Sequence, residues 1–350
     1  MPEKTTTGAA QPAAGPVTID DIAQAAGVHP ASVSRALRGV PGKVSAKTRE
    51  RIAQIARELG YQPNAVAASL RTKQTNLVAI VVPDVANPLF GPIVQGLESE
   101  LRRNGYTSLM VQPPEGAAER RDVILALANR HVSGLLILAA ESDDPMLQVA
   151  ADRSLPTVLV NRGFGERRFS SVVNGDRESV RLVLEHLAGL GHARVAHLSG
   201  PLASSTGRAR RDAFLELAPQ FGLNRPVVVE APAFTRPAGE AATRELWRRS
   251  AKPTAIFAAN DLIALGALAV LREVGVRVPQ DVSLVGHNDM PFVDLIDPPL
   301  TTVRVAVDQM SRQAAQLLLE LLGDPQEPPS MRVLTPRLVV RASTAAARRG

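Results

Sequence analysis

The chain has 350 residues, 45% of them hydrophobic, and no cysteine. This excludes disulfides and thiol catalysis, fits a reducing compartment, and supplies apolar side chains for more than one core. The formal net charge is +6, of which +5 falls within residues 1–76, where ten Lys and Arg face five acids; a basic end on a nearly neutral body suits nucleic acid at one end and a different task in the rest. The six histidines, at 29, 131, 186, 192, 197 and 287, show no H-x-x-x-H pairing, so neither a metal site nor a cofactor is expected. No run of about 18 apolar residues occurs, and residues 1–16 carry no apolar signal core. They read as a disordered tail on a cytoplasmic protein.

The first predicted element is a short amphipathic helix after Thr18. Thr18 is a good N-cap, Asp20 and Asp21 meet the positive helix end, and Ile22, Ala25 and Ala26 make the apolar stripe. Gly27 suits the left-handed turn that leaves this helix at a steep angle. A second helix begins at about Pro30, since proline is tolerated in a first turn. Val33 and Leu37 point inward there, leaving Ala31, Ser32, Ser34, Arg35 and Arg38 outward. This is the helix-turn-helix layout that presents a helix to the major groove of DNA. Pro30 and Ala31 offer only apolar contact, suited to a thymine methyl, whereas Arg35 suits guanine O6/N7 or a phosphate. Ser32 and Ser34 suit phosphates. His29 either donates to a phosphate or serves as a poorer cap. A third helix, roughly Ala46 to Leu59, is capped by Ser45, carries Ile52, Ile55, Ala56 and Leu59 on its apolar side, and ends at Gly60.

Asn64 caps one more short helix, Ala65 to Leu70, too brief to be stable without DNA or a second copy of itself. From Leu77 apolar runs alternate with helical stretches, the pattern of parallel βαβ architecture. Strands are predicted at Leu77–Pro83, Thr107–Val111, Gly134–Leu138, Thr157–Val160, Ser171–Val173, Val195–Ser199, Val227–Val229, Ala255–Ala258, Val282–Val285 and Thr335–Val340. Helices fall at about Phe90–Asn104, Ala118–Arg130, Asp176–Leu190, Gly207–Leu217, Ala238–Arg249, Asp261–Val274 and Val307–Leu322. Two such α/β lobes in series place a ligand cleft between them, at the carboxyl ends of the strands. Asn161, Arg162, Asn260 and Asn288 fall at strand ends, where amides both donate to and accept from hydroxyls. Phe90 and Phe234 supply apolar faces in a chain with only 3% aromatics.

The run Val17–Leu37, the segment Val44–Ile52 and Leu59-Gly60-Tyr61-Gln62-Pro63-Asn64 closely resemble the DNA-binding headpiece of the lac/gal repressor family. The body matches as well. Asn87-Pro88-Leu89-Phe90, Leu190-Gly191-His192, Ala259-Asn260-Asp261, Gly286-His287-Asn288-Asp289 and Pro298-Pro299-Leu300-Thr301-Thr302-Val303 look like family motifs in order, and the match runs from Val17 to Arg341. The resemblance implies an all-α helix-turn-helix headpiece on a two-lobed parallel-sheet body of the periplasmic-binding-protein type. The segments are a tail (1–16), headpiece (17–62), hinge helix and linker (63–76) and an effector-binding and dimerisation body (77–350). It also implies that Thr18, Arg38 and Asn64 join the DNA-contacting residues. Leu70 becomes a wedge in the minor groove or a dimer-core leucine, or both. Arg210 matches the family's effector-gripping arginine, with Ala213 where a glycine is usual; with Arg208 and Arg211 adjacent, the register stays open.

No base, nucleophile and orienter converge in the pattern, and neither a G-x-G-x-x-G after a strand nor a Walker sequence is present, so an enzyme is not expected. A secreted sugar-binding protein would share the body but not the headpiece. The reading is therefore a regulator, in all expectation a repressor, whose homodimer binds a pseudo-palindromic operator in double-stranded DNA. A small effector in the cleft controls it, with a sugar as first choice and a purine or other metabolite as the alternative. No leucine heptad tail follows the body, which favours a dimer over a tetramer.

Overall fold

A computed structural model of the chain describes residues 17–37, 44–61, 75–141, 143–163, 168–223 and 226–348. The chain divides into two compact units, one ending at Lys73 and the other beginning at Gln74. The tail 1–16, Arg38, Asn64, Leu70 and the expected helix 65–70 lie outside the described residues.

The first unit holds α1 (Ile19–Ala26), α2 (Pro30–Leu37) and α3 (Ala46–Glu58). Thr18 and Asp21 form a reciprocal capping box at the start of α1, and Gly27 closes that helix with φ +62°, a conformation a side chain would resist. Ile22, Ala23, Ala26, Val33, Ala36, Ile52 and Ala56 make one small core. The expected stripe is corrected at three places. Ala25 is exposed and Ala23 buried, because α1 meets two helices at once and the face between them includes the residue after Ile22. Leu37 is exposed, its inward place taken by Ala36, three residues after Val33. Leu59 is exposed as well, since α3 ends before it and it only caps the helix.

The second unit contains two six-stranded sheets, ordered β11-β5-β4-β3-β1-β2 and β12-β10-β9-β8-β6-β7. The first combines β1 (Leu77–Val81), β2 (Thr107–Val111), β3 (Gly134–Leu138), β4 (Thr157–Asn161), β5 (Ser170–Asn174) and β11 (Met331–Leu334). The second combines β6 (Val195–Ser199), β7 (Val227–Glu230), β8 (Ala255–Ala258), β9 (Ser283–Asn288), β10 (Thr301–Arg304) and β12 (Arg337–Val339). Every pairing is parallel except β10 with β12. Central strands such as β3 and β4 are buried along their whole length, which is why they read as continuous apolar runs rather than alternating ones.

Helices α4 (Phe90–Arg103), α5 (Ala117–Asn129), α6 (Pro145–Asp152) and α11 (Val307–Gly323) cover the first sheet. Helices α7 (Asp176–Gly189), α8 (Ser205–Leu217), α9 (Arg236–Arg248) and α10 (Asp261–Glu273) cover the second. Helix α6 escaped the sequence reading although Asp144 caps it and Pro145 opens it. The expected closing strand Thr335–Val340 is the shorter β12, and β11 just before it, in the other sheet, was not expected; Pro336, which lacks the N–H needed to continue a ladder, stands between the two. The chain thus crosses between lobes three times, after β5, after β10 and after β11. No described helix is long and apolar enough to cross a membrane.

Helices α9 and α10 pack through two glycines. A Cβ at Gly239 would lie 2.5 Å from the Ile263 carbonyl oxygen, and one at Gly266 would lie 2.3 Å from that of Arg236. Backbone cannot yield there as a side chain could, so Gly266→Ala is expected to destabilise the body by about 1–3 kcal/mol. Gly189→Ala, at the end of α7 with nothing within 4 Å, should be neutral or stabilising by up to about 1 kcal/mol. Urea unfolding midpoints of the two variants check the contrast, and equal midpoints would refute the glycine-mediated crossing.

Candidate ligand cleft and DNA-reading face

In the first unit, α2 presents the residues singled out in the sequence. Arg35 is exposed; Pro30, Ala31, Ser32 and Ser34 are half-buried beside the buried Val33 and Ala36. The His29 Nδ1 accepts a hydrogen bond from the Ala31 N–H at 3.2 Å, so His29 caps α2. An accepting Nδ1 leaves the neutral ring's proton on Nε2, which points a donor outward. Capping and phosphate contact are therefore compatible. The Thr18 hydroxyl accepts from the Asp21 N–H at 3.3 Å and donates to Asp21 Oδ2 at 2.7 Å, so this side chain is engaged within the helix start. The Thr18 N–H, which also donates to Asp21 Oδ2 at 2.7 Å, and then the Thr18 hydroxyl hold the Asp21 carboxyl below its ordinary value.

In the second unit, all seven expected cleft residues line one cavity: Phe90, Asn161, Arg162, Arg210, Phe234, Asn260 and Asn288. Asn87, Leu89 and Thr206 join them, and the sequence reading missed these three. Asn87 stands in the quoted Asn-Pro-Leu-Phe motif and could have been found there. Thr206 had no signal beyond its place two residues after a helix cap. The cavity lies between the lobes at the carboxyl ends of their strands and is tight, about 30 Å³, room for one or two water-sized groups. Asn87, Phe90, Arg162 and Phe234 also border an outer basin of about 710 Å³, within the usual range for small-molecule sites.

Arg210 stands in the inner wall, buried at 3% exposure, while Arg208 is half-exposed and borders the outer basin. The Arg210 Nε donates to Asp176 Oδ1 at 2.7 Å and its Nη1 to the Ala259 carbonyl. Burial pushes the Asp176 carboxyl up, and the Arg210 guanidinium opposes that push. Asn260 caps α10 through Oδ1, which accepts from the Ile263 N–H at 2.8 Å; its Nδ2 donates to the Phe234 carbonyl at 3.3 Å. Asn161 and Asn288 leave their strands with φ +69° and +120°. Such strained backbone is tolerated by asparagine and concentrates at functional positions. Arg162, on the first lobe, stands over the Phe234 ring on the second, its Cζ 5.3 Å from the ring centroid, a cation–π contact across the cleft. Burial lowers the Arg162 guanidinium to about 10 despite the nearby Glu141.

Behind the wall lie ionisable groups that sequence reasoning did not single out. Asp261 is buried, accepts from the Thr302 hydroxyl at 2.6 Å and the Met290 N–H at 2.8 Å, and burial pushes it up to about 7. A Cβ at Gly286 would meet its Oδ1 at 2.2 Å, which explains that glycine. His287 contacts Asn288 Oδ1 through Nδ1 at 3.1 Å, and His197 bonds the Phe257 carbonyl through Nδ1 at 2.9 Å. Carbonyl oxygens only accept, so both rings carry their proton on Nδ1, and both Nε2 atoms are buried without a partner. Among the described residues no group of three His, Asp or Glu is placed to hold a metal ion.

Burial lowers His197 to about 3. In the unfolded chain it takes a proton below about 6.5, whereas the folded chain refuses it until about 3, so its contribution to stability is lost as pH falls through that window. His197→Phe keeps the ring between Phe214 and Phe257, whose centroids lie 5.2 and 4.7 Å away, and removes the titration. Unfolding free energies between pH 6 and 4 should then fall about 1.4 kcal/mol per pH unit less steeply than in the wild type. An unchanged slope would show that His197 is not held neutral in the folded state.

Comparison with known proteins identifies both units. Residues 18–64 match the model described as bacterial regulatory proteins, lacI family, and residues 184–344 match that of the periplasmic binding protein-like domain. The chain is 34% identical over 337 residues to the HTH-type transcriptional regulator MalR of Streptomyces coelicolor, covering 93% of this chain and 96% of that protein. It resembles a solved transcriptional regulator CelR–cellobiose complex with TM-score 0.72 and 32% identity, over 93% of this chain and 99% of that one. It also resembles the lac repressor dimer bound to operator and the anti-inducer ONPF, with TM-score 0.85 and 29% identity, over 95% and 100% of the two chains. The chain belongs to the lacI family of bacterial regulatory proteins.

Proposed function

We propose that this protein is a cytoplasmic transcriptional repressor that binds operator DNA as a homodimer and is controlled by a small sugar-type effector in the interlobe cleft. The observation that carries the reading is the convergence of seven polar and aromatic side chains from both lobes on one cavity, in a chain that also carries a helix-turn-helix with an exposed Arg35. A binding protein for transport has no use for such a headpiece, and the relatives are regulators rather than enzymes. The CelR complex with cellobiose and the lac repressor bound to operator support the two halves of the reading.

Footprinting and titration calorimetry test it together. Arg35→Ala should abolish operator-specific protection at physiological salt and leave effector affinity intact. Arg210→Ala should weaken effector binding by roughly 1.5–3 kcal/mol and leave effector-free operator binding near wild type if the ligand is an inducer, or abolish effector-driven binding if it is a corepressor. A footprint that survives Arg35→Ala, or effector affinity unchanged in both Arg210→Ala and Asn288→Ala, would overturn the corresponding assignment.

Dimerisation has its own signature in the loop after β9, where Phe292 and Leu295 are 70% and 76% exposed. Apolar side chains so far out of the core mark an interaction surface, and the lac repressor neighbour is a dimer. Phe292→Asp combined with Leu295→Asp should yield a folded monomer by analytical ultracentrifugation; a stable dimer would place the interface elsewhere.

A further inference from the structure

The inner cavity is rich in hydrogen-bond donors and poor in acceptors. Asn260 commits its Oδ1 to the Ile263 N–H, Asn288 its Oδ1 to the His287 ring, and Asn87 its Oδ1 to the Leu89 N–H at 3.1 Å. What Asn87 and Asn288 have left to offer as donors is the NH2 group, and Asn260, whose Nδ2 already donates to the Phe234 carbonyl, keeps one N–H. Arg210 and Arg162 add guanidinium N–H groups, and no carboxylate lines this cavity among the described residues. Asp176, behind Arg210, is already bonded to it. The acceptors are Asn161 Oδ1, buried and without a partner, and the Thr206 hydroxyl. A neutral sugar seated here would leave several hydroxyl hydrogens without acceptors, at the cost of burying unsatisfied polar groups.

Arg162, which stands over the Phe234 ring, has no carboxylate partner among the described residues. Its Nη1 donates to the Ala139 carbonyl at 2.9 Å, while its Nε is buried with no partner. Among the described residues Arg162 forms no salt bridge, although Arg120 is paired with Asp144 and Arg210 with Asp176. The open Nε side of a guanidinium matches the two oxygens of a carboxylate, and the inner cavity has room for a group of that size. The outer basin is richer in acceptors: Asp84, Glu115, Glu141 and Asp143 border it and can accept from hydroxyl groups, alongside Arg120, paired with Asp144, and Arg208, bonded to the Leu202 and Ala203 carbonyls.

We propose that the effector is a polyhydroxy acid, bound with its carboxylate on the Nε side of Arg162 in the inner cavity and its hydroxyls toward the acidic outer basin. This rests on the reading of the cleft as the effector site and names the ligand class for it. A buried cation whose protonated form is disfavoured by its surroundings is stabilised by an incoming anion, and Arg162, lowered by burial, is such a group.

The test uses the full-length protein labelled with 15N-arginine, titrated at constant ionic strength with D-gluconate and D-glycerate and, as neutral counterparts, D-glucitol and glycerol. The Arg162 Nε–H resonance is assigned by its loss in Arg162→Lys. The acids should shift it saturably, the polyols should not, and calorimetry should show gluconate binding at least tenfold weaker in both Arg162→Lys and Arg162→Gln at unchanged melting temperature. No saturable shift with either acid, or equal binding of gluconate and glucitol, overturns the proposal. Gluconate that binds through Arg162 without altering operator affinity would retain the acid site and refute effector control. A neutral sugar that binds in the cleft and changes operator affinity would refute the acid and retain effector control.

Discussion

The inner wall of the cleft depends on one ion pair taken out of water. An isolated buried guanidinium is costly by several kcal/mol, and the cost is offset only when geometry and hydrogen bonds are complete. Arg210 meets that condition with a carboxylate from the first residue of α7 and a carbonyl from the residue after β8. It therefore ties α7, α8 and the sheet edge at one point. The neighbouring strand ends inherit their positions from this tie. Asn260 follows Ala259 directly and is fixed by capping α10, so its amide faces the cleft in one orientation.

A second constraint runs from the cleft into the crossovers. The turn after β9 holds Asn288, Asp289 and Phe292 at positive φ, a strain that persists only where surroundings enforce it. Here they do. Asp261 binds the Met290 N–H and Thr302, and Asp289 is paired with Arg304 at 2.6 Å and Arg341 at 2.7 Å. Arg304 ends β10, just before the chain crosses to the other lobe, and Arg341 follows β12. Asn288 thus adjoins a segment bonded to β10 and to the stretch after β12, beside the crossovers between the lobes, and that segment also carries the exposed Phe292 and Leu295.

The two units differ in what holds them. The body has four apolar clusters built on Leu, Ile, Val and Phe. The headpiece has one cluster, in which four of the seven buried residues are alanine. So little apolar area gives a small margin over chain entropy, and much of its local order is carried by caps, with Thr18, His29 and Ser45 each accepting from a helix N-terminus. A unit of this kind responds readily to what binds it, since ligand affinity adds directly to a small folding free energy.

The linear chain by itself determined the class and order of the elements, because alternating apolar runs and 3.6-residue periodicity are local properties of βαβ architecture, and Thr18, Gly27, Pro30 and Ser45 act within a few residues of themselves. The Asn and Arg residues at strand ends were legible for a similar reason: a parallel sheet delivers the ends of its strands to one edge. What the sequence did not disclose depends on contacts between distant segments. Ala23 replaced Ala25 in the core because a third helix decides which side of α1 is inside. Met331–Leu334, just before the expected closing strand, joins the other sheet as β11, and only the crossover topology assigns it there. Thr206 enters the cleft because the lobes face each other, not because of any residue near it, whereas Asn87 was within reach of the Asn-Pro-Leu-Phe motif that also holds Phe90. The direction of the Asn87, Asn260 and Asn288 amides was set locally, by the Leu89 N–H, the Ile263 N–H and the His287 ring within three residues of each, and what tertiary structure decided is that these amides meet in one cavity.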